Sequence, residues 1–352
     1  MTQHNIQEIR INGQIYTPDQ LHLMDGEYSD LRLFLEAWWS PQPQMEVQTS
    51  GSTGQPKKML VSKAAMLDSA IRTLRFFDLQ AGQRALLCLP LHYIAGKMMV
   101  VRALAGQLNL VLRTPSGLPL GNLEERVDFA AFSPLQMLNE LEHHPSRLHL
   151  LDKVLIGGGK VDEVLGRLLQ RQSFAAYESY GMTETLSHIA LRRINGPRAQ
   201  KHFVALQGVE IRCNKEDCLE LQVAGLTRGW LSTNDLVKMH DNNSFEILGR
   251  TDNVINSGGL KILPEQLEVQ LAPLLPLPFY LSWRPHERLG QQLVLVSIRY
   301  PADHQKLFQK IKEVLPRYQR PAEWLLVPDF PLTHSGKIQR QQLAELVQKT
   351  TL

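Results

Sequence analysis

Between residues 62 and 181, short apolar runs alternate with stretches of helical periodicity. Ala85-Leu86-Leu87-Cys88-Leu89 and Val154-Leu155-Ile156 contain no polar residue, so neither suits a strand with one face in water. Residues 108–112, 129–132 and 174–177 also read as strands. Residues 62–77, 96–105, 134–141 and a segment ending near Leu169 read as helices, with Ser62 as an N-cap. Buried strands separated by helices leave few architectures: the pattern predicts an α/β fold built on a mostly parallel, doubly wound layered sheet. Ligands of such sheets sit beyond the carboxyl ends of strands, which points to the loops after Leu89, Ile156 and Tyr177.

The flanking regions read differently. Residues 9–11 and 14–16 surround an Asn12-Gly13 turn, a strong hairpin signal, and residues 28–39 have helical spacing that stops at Pro41 and Pro43. From about Val209 the pattern becomes short alternating strands (210–212, 218–223, 245–248), which suggests a small antiparallel β subdomain. Gly249-Arg250-Thr251-Asp252 then forms a polar joint. Beyond it, helices are expected at 264–271 and 305–315 and strands at 293–299 and 324–327, enough for a second, α+β domain. The expected organisation is a large domain over 1–250 and a small C-terminal domain over 251–352.

A net charge of +3 gives no electrostatic case for nucleic acid or a membrane surface. The one notable apolar run near the N-terminus, residues 31–39, is broken by Arg32 and Glu36, so neither a leader nor a membrane span is expected. Cys88, Cys213 and Cys218 lack metal-site spacing and are odd in number; they read as small buried side chains in a reducing cytoplasm.

Thr49-Ser50-Gly51-Ser52-Thr53-Gly54-Gln55-Pro56-Lys57-Lys58 has no apolar side chain. Its backbone N–H groups, hydroxyls and lysines suit the cradling of phosphates, although the Walker A spacing is absent and a polar surface turn would have the same composition. Tyr180-Gly181-Met182-Thr183-Glu184-Thr185 offers a ring for a base, a hydroxyl for a phosphate and a carboxylate for Mg²⁺. A strand-end turn with a solvated glutamate reads equally well there. Asp235 in Thr233-Asn234-Asp235 could accept ribose hydroxyls or belong to an ordinary Asn-Asp turn. Lys337 in Thr333-His334-Ser335-Gly336-Lys337-Ile338 could neutralise developing charge or simply be solvated.

Taken in order, the 49–58 loop, Leu89-Pro90-Leu91-His92-Tyr93-Ile94-Ala95-Gly96, Tyr180–Glu184, Thr233–Asp235, Gly249–Asp252 and Gly336-Lys337 resemble the motifs of the adenylate-forming acyl-CoA synthetase family, over roughly residues 45–345. The resemblance implies ATP, Mg²⁺ and coenzyme A as reactants and cofactor, and a small-molecule carboxylic acid as substrate. It leaves oligomerisation open. Thr49, Ser50, Gly51, Ser52, Thr53, Gly54 and Lys57 would hold the β- and γ-phosphates. Gly157, Gly158 and Gly159 would lie beside adenine, with Tyr180 stacked on it and Gly181 next to it. Thr183 would touch the α-phosphate, Glu184 would hold Mg²⁺, Asp235 and Arg250 would bind ribose, and Lys337 would bridge the carboxylate and α-phosphate. Asp252 matches the hinge, and Gly258, Gly259 and Lys261 match the segment that meets the pantetheine arm. The family carries more chain before the phosphate loop, so a reduced N-terminal subdomain is expected.

Within the family the resemblance is strongest to ligases of an aromatic acid with two carboxylates. A cation or donor should therefore meet the carboxylate that does not react. His92, Lys97 and His188 are the candidates, with His92 first and also counted among the catalytic groups, although a structural histidine or solvated lysine fits each position too. Another aryl- or acyl-CoA ligase, a domain that loads a carrier-protein thiol, and a binding module without activity are the competing readings. Intact Glu184, Asp235, Arg250 and Lys337 speak against the last.

Overall fold

A computed structural model describes residues 6–24, 26–48, 58–333 and 338–350. The phosphate-loop residues Thr49, Ser50, Gly51, Ser52, Thr53, Gly54 and Lys57, and Lys337, lie outside the described residues. Contacts divide the chain into two compact units, Met1–Glu210 with Gln222–Gly229, and Ile211–Leu221 with Trp230–Leu352.

The first unit is built on the expected sheet. Its strand order is Phe203–Ala205, His188–Arg193, Ala175–Gly181, Leu151–Ile156, Val127–Phe132, Arg84–Leu87, Asn109–Leu112, Ile9–Ile11 and Gln14–Tyr16. The run from Ala175–Gly181 to Ile9–Ile11 is parallel, and both edges are antiparallel. Helices at Lys63–Phe76, Ile94–Gly106, Pro134–His143 and Glu163–Leu169 supply the crossovers. Consecutive residues Leu86 and Leu87, Ala130 and Ala131, and Leu155 and Ile156 are all buried, so both faces of these strands are covered and they lack alternation. Ser62 caps its helix as expected, accepting the Ala65 N–H. At the far edge Asn12 and Gly13 both have positive φ (49° and 86°), as a two-residue hairpin turn requires.

A separate two-stranded hairpin, Gln44–Gln48 with Lys58–Ser62, has Gln48 opposite Lys58. Residues 49–57 therefore connect paired strand ends. Gln48 also bridges to Tyr93, so one foot of that connection stands beside the loop after the strand Arg84–Leu87.

In the second unit, Leu231–Asp241 pairs with Ser244–Arg250 and with residues 218–221. Farther on, Gly290–Ser297 pairs with Phe279–His286, Ile255–Ser257 and Trp324–Leu326. Leu293 and Leu295 bury against Leu267, Leu271 and Ile311, while Val294 and Val296 bury against Leu343 and Val347 on the opposite face. Each such side chain contributes about 1.5–3 kcal/mol. Helices Pro264–Leu271 and His304–Val314 lie where periodicity expected them, and Arg340–Thr350 forms a third. Among the described residues no helix is long and apolar enough to cross a membrane. The three cysteines are free; Cys88 and Cys218 are buried and Cys213 is half-buried.

Candidate active site

The expected loop after Ile156 is locked against the neighbouring strand Ala175–Gly181 in the first unit. The strand Leu151–Ile156 ends on Gly157-Gly158-Gly159, and a Cβ on Gly157 would come within 2.4 Å of Ser179 Oγ. That hydroxyl donates to the Ile156 carbonyl at 3.1 Å. Glu178, on the neighbouring strand, is buried; its carboxylate accepts the Val161 N–H at 2.9 Å and pairs with Arg192. A side chain at 157 would have to displace the Ser179 hydroxyl, and the buried charge holds the loop in place.

Tyr180 and Gly181 are the last residues of the strand Ala175–Gly181 rather than part of the loop beyond it. Tyr180 is buried, its ring centroid 6.1 Å from that of Phe203. Thr183–Thr185 is a single 3-10 turn, closed by the Met182 N–H donating to Thr185 Oγ1 at 3.0 Å. The turn presents Glu184 outward, with no hydrogen bond or ion pair among the described residues. An exposed carboxylate with uncommitted oxygens suits a hard divalent cation.

In the second unit, Thr233-Asn234-Asp235 lies inside the eleven-residue strand Leu231–Asp241, not in a turn. Asp235 is opposite Arg250 in the ladder and is buried, accepting from Arg250 Nη1 at 3.0 Å. Nη2 of the same guanidinium donates to Asp252 Oδ2 at 2.7 Å. Partial burial pushes the Asp252 carboxyl up, but the hydrogen bond and charge of Arg250 outweigh it and hold the group below its ordinary value. One arginine thus ties the expected ribose aspartate to the expected hinge. Gly258 and Gly259 form the turn between Ile255–Ser257 and Leu260–Ile262, and Lys261 is exposed beside it.

The three candidates for the second carboxylate have separate fates. His92 is exposed next to Tyr93. Lys97 donates to the Glu46 carbonyl at 2.8 Å, and partial burial lowers its pKa. His188 is not on a loop: it opens the strand His188–Arg193 and is buried.

Around His188 runs a directional chain of donors. Arg102 Nη2 donates to Ser187 Oγ. The Ser187 hydroxyl faces His188 Nδ1 at 3.2 Å, His188 Nε2 faces Thr73 Oγ1 at 3.2 Å, and Thr73 donates to the Ser69 carbonyl at 3.2 Å. Satisfying every member assigns the neutral Nε2–H tautomer to His188. Burial, and then the charges of Arg102 and Arg72, push its pKa well below the ordinary value of 6.5.

Arg102 belongs to none of the sequence motifs. It is 2% exposed, its Nε has no partner, and no described carboxylate contacts it. Nε and Nη2 of Arg72 are likewise buried and unbonded. Burial lowers the pKa of both guanidinium groups. The available signal was a single charge within Met98-Met99-Val100-Val101-Arg102-Ala103-Leu104, whose other members are all buried. Ser187, which receives the Arg102 hydrogen bond, stands two residues beyond the Thr183–Thr185 turn. The structure therefore sets an uncompensated buried cation beside a motif expected to meet the reacting phosphate.

The neutral His188 has a measurable consequence. Its folded pKa is depressed, so it adds stability above about pH 6.5, and that contribution is lost as pH falls toward the folded value. The thermal midpoint should fall between pH 7 and pH 5, with His188 contributing a slope of up to about 1.4 kcal/mol per pH unit. His188→Asn should show a shallower fall in calorimetry; an unchanged slope would mean the histidine charges freely in the fold.

A model of the family described as AMP-binding enzyme matches residues 47–219. The 2-succinylbenzoate–CoA ligase of Escherichia coli K12 is 29% identical over 329 residues, covering 89% of this chain and 71% of the relative. Among solved structures, an AMP-forming acyl-CoA synthetase/AMP-acid ligase II-like protein from Dyadobacter fermentans is 34% identical with a TM-score of 0.64. That match covers 92% of this chain and 97% of the other. E. coli MenE with bound OSB-AMS is 26% identical with a TM-score of 0.71, over 89% of this chain and 70% of the other. The expected motif order, the sheet that carries it and these likenesses agree: the chain belongs to the AMP-binding family of adenylate-forming acyl-CoA synthetases and is an AMP-forming acid–thiol ligase.

Proposed function

We propose that this chain adenylates o-succinylbenzoate with Mg·ATP and passes the acyl group to coenzyme A, a step of menaquinone biosynthesis in the cytoplasm. Several curated relatives carry the name 2-succinylbenzoate–CoA ligase. The observation that carries the reading is Arg102, a buried cation with a free donor and no carboxylate in contact among the described residues. A substrate with a second, unreacting carboxylate supplies what that site lacks. The exposed His92 and the half-buried Lys97, which donates to the Glu46 carbonyl, remain secondary candidates for that end of the acid.

In the first half-reaction a carboxylate oxygen bonds to the α-phosphorus as the bond to the bridging oxygen breaks and pyrophosphate leaves. In the second, the thiol sulfur of coenzyme A bonds to the acyl carbon and AMP departs. Such chemistry asks the protein chiefly for positioning and charge neutralisation. Residues 49–57, joining two paired strand ends, would cradle the β- and γ-phosphates, and Thr183 would meet the α-phosphate. Glu184 fits a Mg²⁺ ligand, and the metal there would neutralise phosphate charge. Gly157, Gly158, Gly159, Tyr180 and Gly181 would border adenine, and Asp235 with Arg250 would hold ribose. Lys337 would join the carboxylate to the α-phosphate. Residues 251–352 would turn about Asp252, bringing Gly258, Gly259 and Lys261 to the pantetheine arm.

The test is a mass-spectrometric assay with Mg·ATP, coenzyme A and a panel: o-succinylbenzoate, benzoate, coumarate, indoleacetate and medium-chain fatty acids. Indoleacetate is included because a ligase of that name is among the relatives. An o-succinylbenzoyl thioester with little from the other acids is the expected result. Preference for another acid would discard the substrate and the pathway. Pyrophosphate release without any thioester would redirect the second step to a carrier-protein thiol.

A further inference from the structure

Away from the substrate groups, the second unit holds a buried charge cluster that the proposed chemistry does not use. Arg340, the first residue of the helix Arg340–Thr350, pairs bidentately with Glu268, Nη1 to Oε1 at 3.0 Å and Nη2 to Oε2 at 2.6 Å. Its Nε lies 3.3 Å from Glu265 Oε1. All three side chains are at least four-fifths buried. Glu268 is satisfied twice over, since Oε1 also accepts the Leu281 N–H at 2.7 Å.

Glu265 is different. Its Oε1 takes a second donor, the Asn253 side-chain amide, while its Oε2 is buried with no partner. That bare oxygen lies against the joint: a Cβ on Gly249 would come 2.9 Å from it. Two carboxylates thus share one guanidinium, and the surplus charge is shut in by Gly249 and Asn253. Leaving a buried carboxylate oxygen unsatisfied is costly, and Arg340 already has a complete partner in Glu268. What Glu265 adds is a link between two segments distant in sequence. One is the joint, residues 249–253, where Arg250 ties Asp235 to Asp252. The other is the far foot of residues 334–337, anchored where Leu332 bridges Ile338 and the Gln339 N–H donates to the Pro331 carbonyl at 2.8 Å.

We propose that Glu265 is a positioning residue of the adenylation step, its one carboxylate tying the Asn253 amide of the joint to Arg340 at the foot of the segment that carries Lys337. The joint and residues 338–340 then hold one geometry together. The inference rests on the roles proposed above for Lys337 and Asp252, and its test separates the two.

Full-length wild type, Glu265→Ala, Asn253→Ala and Lys337→Ala are compared in three measurements: amide hydrogen exchange by mass spectrometry, acid-dependent pyrophosphate–ATP exchange, and thioester formation from supplied acyl-adenylate. Removing the tie from either end should speed exchange about tenfold both at residues 251–254 and at 338–339. Amides of the strand Gly290–Ser297 should stay protected. Pyrophosphate–ATP exchange should fall about tenfold in both tie variants, with thioester formation within about threefold of wild type. Unchanged hydrogen exchange at either segment would overturn the tie, as would adenylation and thioester formation falling in proportion. Should Glu265→Ala fail to fold, Asn253→Ala, on the surface turn, carries the same test. Lys337→Ala reads the underlying assignment separately: intact adenylation there would remove the role of Lys337, and the hydrogen exchange of the tie variants would still decide the link.

Discussion

Replacing Lys337 with alanine is expected to lower acid-dependent pyrophosphate release by about 100- to 1000-fold, the loss typical of removing one preorganised donor from a developing charge. When the carboxylate oxygen approaches the α-phosphorus, two anions must come within bonding distance. A single ammonium between them stabilises that approach more than the separated reactants, and only such differential stabilisation raises the rate. Once the acyl-adenylate exists, this repulsion is gone. Thioester formation from supplied acyl-adenylate should therefore stay within a few-fold of wild type. Single-turnover assays of the two half-reactions check this, and an equal loss in both would assign Lys337 a structural role.

The second large effect is expected at Arg102. Arg102→Met keeps the length and helix propensity of the side chain but removes its charge. Because no carboxylate among the described residues contacts the native guanidinium, the substitution relieves a buried, unpaired cation rather than breaking an ion pair. The thermal midpoint should hold or rise. Activity should move the other way: losing one partner of a desolvated carboxylate–guanidinium pair costs about 2–5 kcal/mol, so kcat/KM for o-succinylbenzoate should fall by at least about 30-fold. An aromatic acid with one carboxylate should lose far less. Arg102→Lys keeps the charge without the forked geometry and should fall between. If the midpoint drops together with activity on every acid, Arg102 is part of the scaffold and the two-carboxylate reading loses its main support.

Legibility in the sequence followed the range of the interactions involved. The Asn12-Gly13 hairpin, the Ser62 cap, the helix over Pro264–Leu271 and the buried parallel strands each depend on residues within a few positions. All were readable from turn chemistry, capping and apolar runs. Leu231–Asp241 was not: it is rich in exposed polar residues, contains Asn234 and Asp235, and exists as a strand through its partners on both sides. Phe279–His286 likewise contains Pro285 and is held by the eight-residue ladder to Gly290–Ser297.

The same division runs through the site. Gly157, Glu184, Asp235, Arg250 and Lys337 stood out in the sequence as motif members, because phosphate and ribose chemistry demands particular residue types; the roles given them remain those proposed above. Arg102 was visible as a lone charge in an apolar helix, but its meaning depends on whether a countercharge meets it. Glu265 carried no signal at all, since a glutamate in the first turn of a helix is ordinary. Sequence alone therefore determined the fold class, the order of motifs and the chemistry they serve, because local propensity and functional-group identity are properties of neighbouring residues. Tertiary structure alone decided which charges are paired. Whether Arg102 lacks a carboxylate, and whether Glu265 reaches Asn253 and Arg340, depends on burial and on contacts between segments far apart in the chain, where desolvation makes an unmatched charge costly.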